Sequence, residues 1–468
     1  MKPFDLIIGA ALGVGLAACA SVETQDDLAN VADTAPAKLV EDSGLDIVVH
    51  EGDFAEIQQF TTPGGVSVWL VSEPSIPILS VAMAWEGGEA ADPEGLEGLA
   101  DAVVYHMNEG AGDLDSLAFQ TRMEELNMSF GCSASSDWTS CSASMLTDNA
   151  DEAMSLVAQA FEAPRFDAGP FARFQREREV SLNTRETNAR YLAGRAEAQA
   201  IYPDHPYARE TSAESIAALT PELAKAHMRK LMVKDSLIVT AVGAITPEEL
   251  APMLDAIAES LPESNDLPET PEITFTVDGA FEPVLIDLPQ PQSLVRFLAP
   301  GLKREDPDFF TAYVVNYTYG GGGFGSRLME SLRVQKGLTY GVYTWLSFDD
   351  TYQNWGGSGQ TKNESVGEFV EALLAETALI AEEGITAEEL ADAKAYLTGS
   401  YPLAFDSNAK IAGQMMSVRQ DELGVDYFDR RNALIEAVTL EDANRVAAEF
   451  LQPDRFSFIM VGQPEGLD

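Results

Sequence analysis

Residues 316–348 read NYTYGGGGFGSRLMESLRVQKGLTYGVYTWLSF, and the rest of the chain is placed most readily relative to them. Four consecutive glycines, Gly320, Gly321, Gly322 and Gly323, follow a helix-like apolar stretch and precede Phe324. Glycine inside a helix or strand loses backbone entropy without returning packing, so the run predicts a flexible loop. Beyond it, Leu328, Leu332 and Val334 fit a short amphipathic helix starting near Ser326, and Gly337 supplies a left-handed stop. Leu338 to Trp345 then alternates aromatic and β-branched residues as a strand does.

Arg333 and Tyr340 fall at the end of that helix and the start of that strand. A guanidinium and a phenol brought together across the turn can both donate to one carbonyl oxygen. Taken alone, the two residues are better read as a surface arginine and a half-buried strand tyrosine.

The whole string resembles the C-terminal signature of the pitrilysin, insulin-degrading enzyme and mitochondrial processing peptidase family: a glycine-rich loop, S-R-L, a helix ending L-R, then G-L-x-Y. The resemblance implies that Arg333 and Tyr340 contact the substrate backbone beside the scissile bond, with Gly320 to Gly323 letting the loop approach the peptide. It also implies an α+β fold: two duplicated, clamshell-like halves, each packing helices on an antiparallel-rich sheet.

Internal repetition agrees. LTPELAKAHMRKLMVKDSLIVTAVG, ending at Gly243, aligns without a gap on VTLEDANRVAAEFLQPDRFSFIMVG, ending at Gly462. Upstream, WEGGEAADPEGLEGLADAVVYHM parallels APGLKREDPDFFTAYVVNYTYGG. The resemblance therefore spans about residues 55–465. With 468 residues the chain suits two domains of roughly 200 residues each. The expected N-terminal domain covers 51–261. A Pro- and acid-rich linker, PESNDLPETPEITFTVDGAFEP, lies around 262–282, and the C-terminal domain covers 283–468.

The net charge is −47, from 76 acidic and 29 basic residues, which excludes nucleic-acid binding through phosphate contacts. Such a field steers cationic peptides, and it equally serves solubility in a salty environment. At the N-terminus, MKPFDLIIGAALGVGLAACASVETQ carries an apolar run too short for a permanent span but suited to a secretory signal. It ends Leu16-Ala17-Ala18-Cys19, which resembles a bacterial lipobox with Cys19 as the acylated residue. A signal peptide over 1–19, a flexible tether over 20–50 and a lipid-anchored periplasmic protein are the expectation. Ala20 after Cys19, in place of a retaining aspartate, points to the outer membrane.

Cys132 and Cys141 flank SASSDWTS, a hairpin tip. If Ser135 to Trp138 form the loop, the two sit opposite on paired strands and a disulfide is reasonable, two buried free thiols being the other reading.

In the family the N-terminal half carries H-x-x-E-H, two imidazoles binding zinc with a Glu between them, and a distal Glu completes the ligand set. On that pattern Gly98-Leu99-Ala100-Asp101-Ala102-Val103-Val104-Tyr105 puts Asp101 and Tyr105 at the histidine positions and Val104 at that of the catalytic Glu. Thr184 falls at the distal ligand. No metal site is therefore expected in this chain. His106 is read as structural, Glu109 as solvated, and His50, His205 and His227 as lacking ligand-like neighbours. No G-x-S-x-G elbow or Walker loop is present.

The resemblance then implies a non-catalytic subunit of a heterodimeric zinc peptidase. It would supply Arg333 and Tyr340 to a peptide whose scissile carbonyl lies next to zinc held by an H-x-x-E-H partner. Two alternatives stay open: a structural protein of this fold, and a module that captures extended peptides by strand addition without cutting them.

Overall fold

The computed structural model describes residues 37–40, 44–268, 270–271, 281–349 and 352–467. Cys19, the signal peptide and most of the expected tether lie outside the described residues, as do 272–280 of the linker. The tether expectation is corrected at its end. Ala37–Val40 (β1) and Ile47–Glu51 (β2) pair as antiparallel strands. In the second, Ile47 and Val49 are buried, so the chain gains apolar contact there instead of staying solvated.

The N-terminal half continues with Glu56–Thr61 (β3), Ser67–Ser72 (β4), Ile78–Glu86 (β5), Ser129–Ala134 (β6), Trp138–Leu146 (β7) and Ile238–Gly243 (β8). Its helices are Leu99–His106 (α1), Ser116–Glu125 (α2), Ala150–Glu162 (α3), Ala168–Arg185 (α4), Ala189–Ile201 (α5), Ala213–Ala218 (α6), Pro221–Leu231 (α7) and Pro247–Ala258 (α8). The C-terminal half has strands Val284–Asp287 (β9), Gln292–Pro300 (β10), Thr339–Asp349 (β11), Tyr352–Lys362 (β12) and Ser457–Gly462 (β13). Its helices are Phe309–Asn316 (α9), Val366–Glu383 (α10), Ala387–Gly399 (α11), Asn408–Gln420 (α12), Tyr427–Ala437 (α13) and Leu440–Phe450 (α14).

One sheet runs β1-β2-β3-β4-β8-β5-β7-β6 and the other β11-β12-β10-β13-β9. Both contain the same five-strand pattern. A parallel pair, β4 with β8 or β9 with β13, is followed by three antiparallel strands, and the last of them, β6 or β11, is an edge. The duplication seen in the sequence is thus a duplication of topology.

Each half exports one helix. Helix α12 lies on β5 and β8 of the first sheet, and α5 lies on β13 and β10 of the second. This reciprocal cover explains why β8 and β13 are buried on both faces: Val239 and Ala241 on one face of β8 with Thr240 and Val242 on the other, and Ile459 and Val461 on one face of β13 with Phe458 and Met460 on the other. One face of each sheet packs on its own half's helices and the other on the borrowed one. Burying both faces removes water from the central strands, at about 25 cal/mol per Å² of apolar surface.

Candidate functional site

The glycine run is not the flexible loop predicted. Tyr317–Gly321 winds on from α9 as a π-helical turn, and Gly323–Gly325 forms a 3₁₀ turn. Packing decides this. A Cβ on Gly320 would stand 2.5 Å from the Thr344 hydroxyl and 2.7 Å from its methyl on β11, so only glycine lets the turn close against the strand. Gly323 alone of the four has positive φ, +60°, and turns the chain towards Phe324. Ser326 holds the turn, its amide (3.1 Å) and hydroxyl (2.8 Å) both donating to the Gly323 carbonyl.

The helix predicted from Ser326 forms, but it is wound as π over Met329–Gln335. Lys336 N–H donates to Ser331 O at 3.2 Å, one residue further back than an α-helix allows. Leu328, Met329 and Leu332 are fully buried beneath it. Arg327 fixes its start, donating to both Glu389 oxygens (2.6 and 2.7 Å) and to Gly384 O (2.9 Å).

The same helix carries Arg333, whose side chain has no hydrogen bond or ion pair among the described residues; its guanidinium carbon lies 4.3 Å from the Phe324 ring centroid. Tyr340, on the edge strand β11, is 84% exposed, and its hydroxyl has no partner among the described residues. The structure thus puts both residues on one short helix-to-strand connection with their donors unspent.

In the N-terminal half, α1 begins where the buried Asp92 carboxylate accepts from the amides of Gly98 (2.8 Å), Leu99 (2.9 Å) and Ala100 (2.8 Å). Asp101 and Tyr105 project one turn apart towards α4. Arg178 grips Asp101 through Nη2 (2.7 Å) and Nε (2.5 Å), and Arg173 Nε donates to the Tyr105 hydroxyl at 3.0 Å. Arg173 also pairs with Glu109 (2.6 Å), which accepts a second bond from Ser116. Glu109 is therefore tied down, not solvated as expected.

Val104 is 7% exposed and offers no ligand atom, and Thr184 is exposed with its hydroxyl donating to Ser181 O at 2.9 Å. Two guanidinium groups stand at Asp101 and Tyr105, and these side chains with Val104 and Thr184 do not make a set that fits zinc. Among the described residues no group of three or more His, Cys, Asp or Glu side chains is arranged to hold a metal ion.

His106 is buried against Phe166, Phe171 and Phe174, its Nδ1 2.7 Å from Ala102 O. Burial lowers its pKa and keeps the ring neutral. His205 accepts from the Tyr207 amide at 3.2 Å within its turn, while His227 does have an acidic neighbour, Asp92 at 3.2 Å. Cys132 and Cys141 are direct partners in the β6–β7 register and are disulfide-bonded, with Cα atoms 4.0 Å apart. Sequence reading missed the roles of Arg173, Arg178 and Phe324. The signal it had was four arginines within α4 of a strongly acidic chain.

Residues 67–213 match the family described as insulinase, peptidase family M16, and residues 218–397 match the peptidase M16 inactive domain. The chain belongs to peptidase family M16. A relative named as a non-peptidase homologue from Helicobacter pylori is 28% identical over 331 residues, covering 70% of this chain and 76% of the relative. A Bacillus subtilis relative named as an uncharacterized zinc protease is 21% identical, covering 85% and 96%. Among solved structures, an M16 inactive domain from Pseudomonas fluorescens superposes with TM-score 0.80 at 26% identity, covering 87% of this chain and 98% of its own. The family resemblance and the α+β, duplicated fold read from the sequence are thereby borne out. As an M16 chain it carries the peptidase-like architecture, and Asp101 and Tyr105 in its first half are each paired with an arginine of α4.

Proposed function

We propose that this chain is the non-catalytic subunit of a periplasmic, lipid-anchored heterodimeric zinc metallopeptidase. Arg333 and Tyr340 bind the peptide backbone, and a homologous H-x-x-E-H subunit holds the zinc. The observation that carries the reading is the exposed Tyr340 hydroxyl on the strand that follows the helix of Arg333, both without a hydrogen-bond partner among the described residues, in a chain with 76 acidic residues. An aromatic left 84% exposed on a strand costs apolar surface in water, which a bound chain recovers. The naming of the Helicobacter pylori relative as a non-peptidase homologue supports the inactivity of this chain alone.

Purified mature chain, alone and mixed with an H-x-x-E-H homologue from the same cell, tests the reading through peptidase activity and bound zinc. Activity is expected only in the mixture, and to collapse with Arg333→Ala or Tyr340→Phe. Activity in the isolated chain sinks the proposal. A second reading, capture of extended peptides without cleavage, is favoured by the edge position of β11, whose outer side has no partner strand among the described residues. It predicts peptide binding with no activity in any mixture.

A further inference from the structure

Two arginines on one helix are treated in opposite ways. Arg327 is locked by a bidentate carboxylate and a carbonyl, and that use occupies three of its five in-plane N–H donors. Arg333, less than two turns on, has no acceptor among the described residues and lies instead over the Phe324 ring. An aromatic ring attracts a guanidinium through its π face, so the cation is restrained while the donors in its plane stay available. A carboxylate would hold the group more firmly but would occupy two of those donors and neutralise the charge that draws a peptide carbonyl.

The ring is itself placed by the glycine turn. Gly323 at φ +60° starts the turn, Gly322 N–H closes onto Tyr317 O at 2.7 Å, and Ser326 makes its two bonds to Gly323 O. Phe324 is 71% exposed, and no other ring among the described residues packs on it. A large aromatic kept in water on a braced turn, with an arginine over its ring, has no core-forming role to explain it.

We propose that Phe324 is a positioning residue for Arg333: its ring holds the guanidinium in place with the in-plane donors free for a peptide carbonyl. This rests on the reading of Arg333 as a peptide-binding group. The braced glycine turn then serves to present this ring, not to approach the peptide as a flexible loop.

The full mature chain is titrated with a fluorescein-labelled tryptic peptide of β-casein, using wild type, Phe324→Leu, Phe324→Tyr, Arg333→Ala and the double variant Phe324→Leu/Arg333→Ala. Leucine keeps apolar bulk without a π face, and tyrosine keeps the face. Phe324→Leu is expected to weaken binding about two- to fivefold, the range an exposed cation–π contact supplies, and Phe324→Tyr to restore it. In the Arg333→Ala background Phe324→Leu should change nothing further, an interaction that a merely structural residue would not show. Equal loss in both backgrounds, or no loss in Phe324→Leu while Arg333→Ala abolishes binding, overturns the positioning role alone. Arg333→Ala binding as wild type does, or a wild type that binds no peptide, overturns the reading of the site and the inference with it.

Discussion

Arg419, the penultimate residue of α12, donates to both the carbonyl (3.0 Å) and the hydroxyl (2.8 Å) of Ser67 on β4, joining the C-terminal half to the first sheet. It also donates to Val239 O on β8 at 2.7 Å and lies over Trp69. Burial lowers its pKa to about 10, which leaves it charged at neutral pH. On the other side of the duplication, Glu197 of α5 pairs with Arg296 of β10. Each exported helix is thus fastened by a charged side chain as well as by apolar contact. Arg419→Met keeps the packing stem but orphans the accepting oxygens, and should cost about 1–3 kcal/mol in chemical denaturation. An unchanged urea midpoint would show that α12 is held by apolar contact alone.

The Cys132–Cys141 bond closes the β6–β7 hairpin at an edge of the first sheet. The double variant Cys132→Ser/Cys141→Ser should lose about 2–3 kcal/mol, and reductant should lower the melting temperature of wild type but not of the variant. Equal melting curves for reduced and oxidised wild type would count against the bond.

Glu389 is held at about 2, below its ordinary 4.5, first by the Arg327 side chain and then by the Thr386 amide. A carboxylate depressed on folding contributes stability that is present above about 4.5 and lost as pH falls through about 2. Glu389→Gln should therefore cost about 1 kcal/mol at neutral pH, given its partial exposure, and the gap from wild type should close between pH 4.5 and 2. A gap that persists at pH 2 would assign the loss to packing.

With Asp101 and Tyr105 engaged by arginines and no ligand atom on Val104 between them, EDTA should leave the melting temperature unchanged. Calorimetric titration with zinc should show no stoichiometric binding. Tight one-to-one uptake would mean that other residues form a site.

The duplicated fold and its membership were legible because β-strand and helix patterns repeat along the chain, and the G-L-x-Y segment is local. The β6–β7 register was legible for the same reason, since a short hairpin loop fixes which residues face each other. The glycine run was misread. Propensity favours a loop, and only the close approach of Thr344 on a strand two dozen residues away makes glycine a packing residue there. Glu109, just past the end of α1, was misread because its partner, Arg173, comes from α4, far along the chain.

The sequence by itself determined that this is a two-fold repeated α+β chain with Asp101, Val104 and Tyr105 where the family resemblance leads one to expect H-x-x-E-H. Residue identity and period are properties of the string. Tertiary structure alone decided that arginines of α4 engage Asp101 and Tyr105, that the two halves exchange helices and that Phe324 lies against Arg333. Each of those is a contact between surfaces brought together by folding, and spacing along the chain carries no record of which side chains will meet there.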